Sequence, residues 1–385
     1  MKLKLLVSLI ILFHLHAFAK SENRKAFLLN KKQLIDSVFA FEPTETKLKD
    51  LKSACWASEL IQYKSKNTDT FYRKFFKTYQ TYNNHYKYVV WQNIYALFPT
   101  DYIDEVKEML KEETNEKLFS ILAYYLFVNK AVISNELQDY IKQQFPDYNK
   151  NVHLSALIIT LKQEKIPVAA MHNDLIEFCK SHKKSSIILF VSKDRNKVGE
   201  AIFINQKGKI LKNRNDTLKI KMLARSVTNL PAFLTNGNTP SGVFSINGFN
   251  VSDNVFIGKS PMIITRLPFE VSVSDFSFSE YKDSIWSLDA YNRFFPKSWH
   301  QYNAKNMAYY AGEAGRSEII IHGTTIDPDY YKNAEYHPYT PSLGCVCTLE
   351  IWNDDGKLLK SDQQKLVNIA KKNNFDNGYF YVVEK

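Results

Sequence analysis

The sequence predicts an α+β chain in two parts, an all-α region over 20–184 followed by a mainly β region over 185–385. Three observations predict it. All 12 glycines lie at or beyond position 199, so nothing before them interrupts a helical pattern. Before 184 apolar residues recur three and four apart, the period of a helix face. After 185 short β-branched and aromatic runs alternate with turn signals such as Asn236-Gly237-Asn238 and Asn247-Gly248.

In the helical part, Ile103, Val106 and Leu110 share one face while Asp104, Glu105 and Lys107 fall off it. Helical segments come in pairs: 91–97 with 102–110, 117–128 with 135–145, and 152–161 with 169–179. The spacing of the pairs is uneven. It leaves open a HEAT-like array of helical repeats or an irregular bundle. What this region binds is also open, a protein partner included. In the second part, 186–191, 201–205, 242–246, 262–265, 318–321 and 379–383 read as strands.

A hydrophobic fraction of 45% and an aromatic fraction of 14% exclude a disordered chain. Lys2 and Lys4, the apolar run 5–13 and Ala17-Phe18-Ala19 have the form of a signal peptide over 1–19, cleaved after Ala19. After it no stretch reaches the roughly 18 apolar residues of a membrane span. Export across the inner membrane to the periplasm or cell wall is therefore expected. Without Lys2 and Lys4 the net charge falls from +11 to +9. The basic residues are scattered, which points to anionic wall polymers and peptides more than to nucleic acid. Cys55 and Cys179 are either a disulfide pair or two buried apolar side chains. Cys345 and Cys347 stand too close for an unstrained bridge or for zinc spacing, and no metal or cofactor is expected.

Three segments carry chemistry: Thr239-Pro240-Ser241-Gly242-Val243-Phe244-Ser245-Ile246, Ile321-His322-Gly323-Thr324 and Ser342-Leu343-Gly344-Cys345-Val346. Thiol acyl transfer requires a thiolate, a base near it and donors for an oxyanion. His322 at a strand end can serve as the base. Cys345, following a glycine in a turn, can present the thiol, and successive backbone N–H groups there could supply donors; taken as a bare pair they read equally as a buried cysteine and a satisfied histidine.

In this order the three segments resemble the YkuD-type L,D-transpeptidase catalytic domain, over roughly 186–352. The resemblance implies a β-sandwich-like domain, a cysteine acyl-enzyme and, as substrate, the stem peptides of peptidoglycan. It further implies Cys345 as nucleophile, His322 as base and the Gly323 carbonyl as the group orienting the imidazole. The N–H groups of Gly344 and Cys345 fall at the oxyanion hole. Arg316, Tyr339 and Ser342 are the candidate substrate-binding residues; Arg316 and Arg266 suit a stem carboxylate through the planar guanidinium, and each also reads as an ordinary surface or structural arginine. Leu343 stands where the family has histidine, and Cys347 where it has arginine. Both departures bear on the choice among transpeptidase, L,D-carboxypeptidase and a catalytically silent wall-binding scaffold. The aromatic insert with Tyr330, Tyr331, Tyr336, His337 and Tyr339 is read either as a lid or as a surface loop pinned by its own rings.

Overall fold

The computed structural model describes residues 24–353 and 355–385. The expected signal segment 1–19 lies outside them. The N-terminal region forms α1 (Arg24–Phe39), α2 (Leu48–Ile61), α3 (Thr68–Lys77), α4 (Asn84–Leu97), α5 (Ile103–Glu112), α6 (Glu116–Val128), α7 (Ser134–Gln144), α8 (Val152–Lys162) and α9 (Ala169–Ser181). Asparagine side chains start three of them. Asn83, Asn115 and Asn151 accept from the N–H groups of Tyr86, Leu118 and Leu154, satisfying donors that the first helical turn leaves free.

Helix α1 packs on α2, and beyond it α2 packs on α4, α4 on α6 and α6 on α8, while the neighbours α5 and α6, and α7 and α8, also pack together. The central helices are accordingly buried nearly all round, as in the run from Tyr86 to Tyr95 on α4. The outer helices α3, α5 and α7 bury a single stripe. Phe75 and Phe76 of α3, for example, meet Tyr86 and Trp91 of α4, with Phe76 stacked on Trp91 at 5.7 Å. This alternation is the order that stacked helical pairs produce.

The second region contains β1 (Ser185–Val191), β2 (Gly199–Ile204), β3 (Lys212–Asn213), β4 (Asp216–Thr217), β5 (Ile220–Met222), β6 (Gly242–Asn250), β7 (Met262–Arg266), α10 (Val273–Phe276), α11 (Leu288–Asn292), α12 (Met307–Glu313), β8 (Ile320–His322), β9 (Val346–Cys347), β10 (Glu350–Trp352), β11 (Leu358–Ser361), α13 (Asp362–Lys372) and β12 (Asn377–Glu384). Eight strands form one mixed sheet in the order β5-β2-β1-β12-β6-β7-β8-β9. Its ends then meet. Just past β5, Leu223 gives its N–H to the Cys347 carbonyl at 2.8 Å and accepts the Cys347 N–H at 2.9 Å. A curled, closed sheet thus stands where the family resemblance implied two stacked ones.

Strand residues alternate between two cores. Ile187, Leu189, Phe203, Phe244 and Phe380 face Leu366, Val367 and Ala370 of α13. Ile188, Ile202, Tyr379 and Tyr381 face Leu175 and Cys179 of α9 together with Trp299. Helix α9 thus packs against the sheet. Cys55 and Cys179 are free thiols in separate cores, which removes the disulfide reading.

The inner helices lie against the β region through one continuous apolar cluster. It joins α2, α4, α6 and α8 to Leu223, Val227, Leu230, Phe233, Tyr331, Tyr336 and Tyr339. Polar bonds cross the same seam. Tyr88 donates its hydroxyl to the Thr235 carbonyl at 3.0 Å, Asn236 its amide to Gln92 at 2.7 Å, and Tyr331 its hydroxyl to the Leu60 carbonyl at 2.9 Å. The aromatic insert is therefore neither a free lid nor a loop pinned only by itself. It is a docking element for the helices.

Candidate active site

The site forms where β8 and β9 run parallel, with Ile321 opposite Val346 and His322 opposite Cys347. Paired residues present side chains on one face, and Cys345 lies in the bend just before β9. The turn carrying Cys345 is pinned at several points. Ser342 Oγ accepts the Gly344 N–H at 3.2 Å and donates to the Cys345 carbonyl at 3.0 Å. Thr239 Oγ1 donates to the Gly344 carbonyl at 2.9 Å, and the Val227 N–H to the Ser342 carbonyl at 2.8 Å. Gly344 has φ +120°, and a Cβ there would stand 2.4 Å from the Arg316 guanidinium, so both backbone and space require glycine.

His322 is buried, and its Nδ1 lies 2.7 Å from the Gly323 carbonyl. A carbonyl only accepts, so the proton sits on Nδ1 and Nε2 keeps its lone pair. The same carbonyl takes the Gly258 N–H at 2.7 Å, which fixes its direction. Burial pushes the imidazole below its usual range, with the Gly323 bond opposing, and the neutral form is favoured. Gln363 braces this strand end, donating to the Ile321 carbonyl at 3.0 Å and the Pro261 carbonyl at 2.8 Å while accepting from Thr348. Glu350 fills the space behind Gly323, its carboxyl held high by burial.

The two thiols differ in access. Cys345 is half-buried and lines a cavity of about 630 Å³ that His322 also lines. Its sulfur lies 3.6 Å from the Glu318 carbonyl. Burial raises its pKa, while the Ile320 N–H and then the Arg316 charge pull it down. Cys347 is fully buried, and its Sγ lies 3.9 Å from His322 Nε2. Burial drives its pKa up as well.

Several expected site residues have other work. The Gly344 N–H is bonded to Ser342, so it is not a free oxyanion donor, and Ser342 organises the turn. Arg316 is buried with its guanidinium donating to the carbonyls of Asn238 and Gly237, both at 3.0 Å, and of Ala232. It clamps the Thr239 loop behind Gly344 and also lines the cavity. Burial brings it down to about 10. Tyr339 is buried in the seam with the helices and does not line the cavity. Arg266 does line it and pairs with Glu270 at 3.2 Å.

Other contributors were not anticipated. Trp56 and Leu60 of α2 line the cavity from the helical side, and Trp56 meets Phe256 edge-on at 4.6 Å. Glu350 and Gln363 lie just past the segment that carries Cys345, and nothing in their spacing marks them. Among the described residues no group of three or more His, Cys, Asp or Glu is placed to hold a metal ion, and no helix is long and apolar enough to cross a membrane. No protein-family model, curated protein or solved structure matches the chain.

Proposed function

We propose that the chain is an exported cysteine acyltransferase acting on peptidoglycan stem peptides, in the manner of an L,D-transpeptidase. The observation that supports this most is the opening of Cys345 into the cavity lined by His322, whose Nδ1 is held by the Gly323 carbonyl. The ordered motifs around Thr239, His322 and Cys345 supply the substrate class by resemblance.

In this mechanism the thiol leaves the Glu318 carbonyl, turns toward Nε2 and gives it a proton. The thiolate adds to the carbonyl carbon that joins the third stem residue to D-alanine. The Cys345 N–H, the donor of its pair not taken by Ser342, faces the oxyanion. As the tetrahedral adduct collapses, the C–N bond breaks, Nε2–H protonates the departing amine, and a thioester remains. An amine of a second stem then attacks the thioester and gives a proton to Nε2. The sulfur leaves and regains its proton, and a 3–3 crosslink is formed. Water in the amine's place gives an L,D-carboxypeptidase.

The test is mass spectrometry of muropeptides incubated with the full chain and with its Cys345→Ala variant. A crosslinked product with loss of D-alanine marks the transferase, and a shortened stem alone marks the hydrolase. A catalytically silent scaffold gives no Cys345-dependent change in any stem, and that result refutes the proposal.

A further inference from the structure

Five tryptophans occur in the sequence, and four of them give their indole N–H to a protein acceptor. Trp91 donates to the Tyr79 hydroxyl, Trp286 to the Val271 carbonyl, Trp299 to the Met171 carbonyl and Trp352 to the Thr324 carbonyl. That is the usual fate of an indole, because a buried donor without a partner is costly. Trp56 departs from it. Among the described residues its N–H has no acceptor, yet it is absent from the buried polar atoms that lack a partner, so the donor is accessible. The ring is half-buried, lines the cavity that Cys345 and His322 line, and is steadied edge-on by Phe256 at 4.6 Å.

The surroundings add hydrogen-bonding groups to this ring. Thr235, Asn236 and Asn254 line the same cavity, and Leu60 stands one helical turn beyond Trp56. Helix α2 is firmly seated there, since the Leu60 carbonyl receives the Tyr331 hydroxyl. A firmly held aromatic face, an open N–H beside it and nearby amide and hydroxyl groups suit a ligand with one apolar ring face and polar edges. A pyranose has that form. Its axial C–H bonds lie on an aromatic ring while its hydroxyl and acetamido groups take hydrogen bonds.

We infer that Trp56 makes the cavity a composite of both regions and binds a sugar ring of the glycan strand to which the stem peptide is attached. The inference rests on the acyl-transfer reading for the identity of the peptide. Trp56 acts as a specificity-determining residue that distinguishes glycan-linked stems from free ones, without touching the reacting atoms.

Binding by calorimetry to the full chain carrying Cys345→Ala tests this independently of turnover. The probes are a disaccharide-tetrapeptide, the free tetrapeptide and an N-acetylglucosamine tetramer. The disaccharide-peptide is expected to bind about tenfold more tightly than the free peptide, the value of one aromatic contact. Adding Trp56→Ala should abolish that preference and leave the affinity for the free peptide within about twofold. Trp56→Phe, which keeps a ring and guards against misfolding of the alanine variant, should retain a preference of about threefold. Equal affinity for the two peptides in the starting protein overturns the inference. So does an equal loss for both in either variant. Failure of Cys345-dependent turnover with the sugar preference intact overturns the proposed reaction alone.

Discussion

His322 and Cys347 are cross-strand partners with Nε2 3.9 Å from Sγ, yet the sulfur open to the cavity belongs to Cys345, two residues earlier. A contact with the imidazole and an opening to the cavity thus belong to different thiols, Cys347 and Cys345. The accessible one is expected to react. Iodoacetamide on the folded chain should label Cys345 alone among four cysteines, since Cys55, Cys179 and Cys347 are buried. Burial holds Cys345 above its ordinary range, so the labelling rate should keep climbing beyond pH ~8.5, where a free thiol is half ionised. Peptide mapping by mass spectrometry reads both. In turnover, Cys347→Ser should stay within about fivefold of the parent while Cys345→Ser loses on the order of a thousandfold or more.

Thr239 ties the proline-glycine loop to the turn of Cys345 through the Gly344 carbonyl. Thr239→Val keeps the shape and removes the donor, leaving a buried carbonyl short of a partner. A loss of about 1–3 kcal/mol in chemical denaturation is expected, with Thr239→Ser recovering most of it. Activity should fall with the valine variant and return with serine.

A methyl group at Gly323 would stand 2.1 Å from the Glu350 carboxyl carbon, so the buried Glu350 side chain would have to move. Gly323→Ala should therefore unfold at clearly lower denaturant, by about 2–4 kcal/mol. Glu350→Ala removes the obstructing atoms. In the double variant the cost should be smaller than the sum of the single changes by about 1–2 kcal/mol. Additive costs would show that Gly323 is required for another reason.

Glu59 is buried in the helical region, where Asn93 Nδ2 donates to it at 3.2 Å. Burial lifts its carboxyl from 4.5 to about 8, the Asn93 bond opposing. The folded chain then holds a proton that the unfolded chain releases above pH 4.5. Stability from this group is complete below 4.5 and is lost as pH rises to about 8, on the order of 3–5 kcal/mol over that window. Glu59→Gln keeps an acceptor for Asn93 and has no charge to desolvate. Its stability between pH 5 and 8 should decline less than the parent's, as urea titrations at several pH values would measure.

Local pattern made much of the fold legible. The runs at 186–191, 242–246 and 262–265 are strands, and Ile103 to Leu110 is helical, because burial stripes repeat within a few residues. The order of the strands was not legible, since β1 pairs with β12 from the far end of the chain. Helix α13 shows a start signal, Ser361 accepting the Gln364 N–H, but its buried stripe of Leu366, Val367 and Ala370 is short among lysines and glutamines. For α9 the helix was visible and its core was not, because Leu175 and Cys179 suit either side of the boundary. The site followed the same rule. Motif order singled out Cys345, His322 and Gly323, and the contact of His322 Nδ1 with the adjacent Gly323 carbonyl is local in the chain. The bonds of Arg316 to the Ala232, Gly237 and Asn238 carbonyls and the packing of Tyr339 against the helices were not legible, since they depend on segments far away in the chain. Trp56 lay in a segment with no motif at all.

The meeting of Leu223 with Cys347 has a consequence for solubility as well as for shape. A strand at the margin of a sheet displays unpaired N–H and C=O groups, and these recruit strands from other molecules. Here the two margins spend those groups on each other. The strand that carries Cys347 therefore gives no template to a second copy of the chain at this point. The accessible Cys345 thiol can sit beside an eight-stranded sheet at high local concentration without that sheet seeding fibrils through this seam.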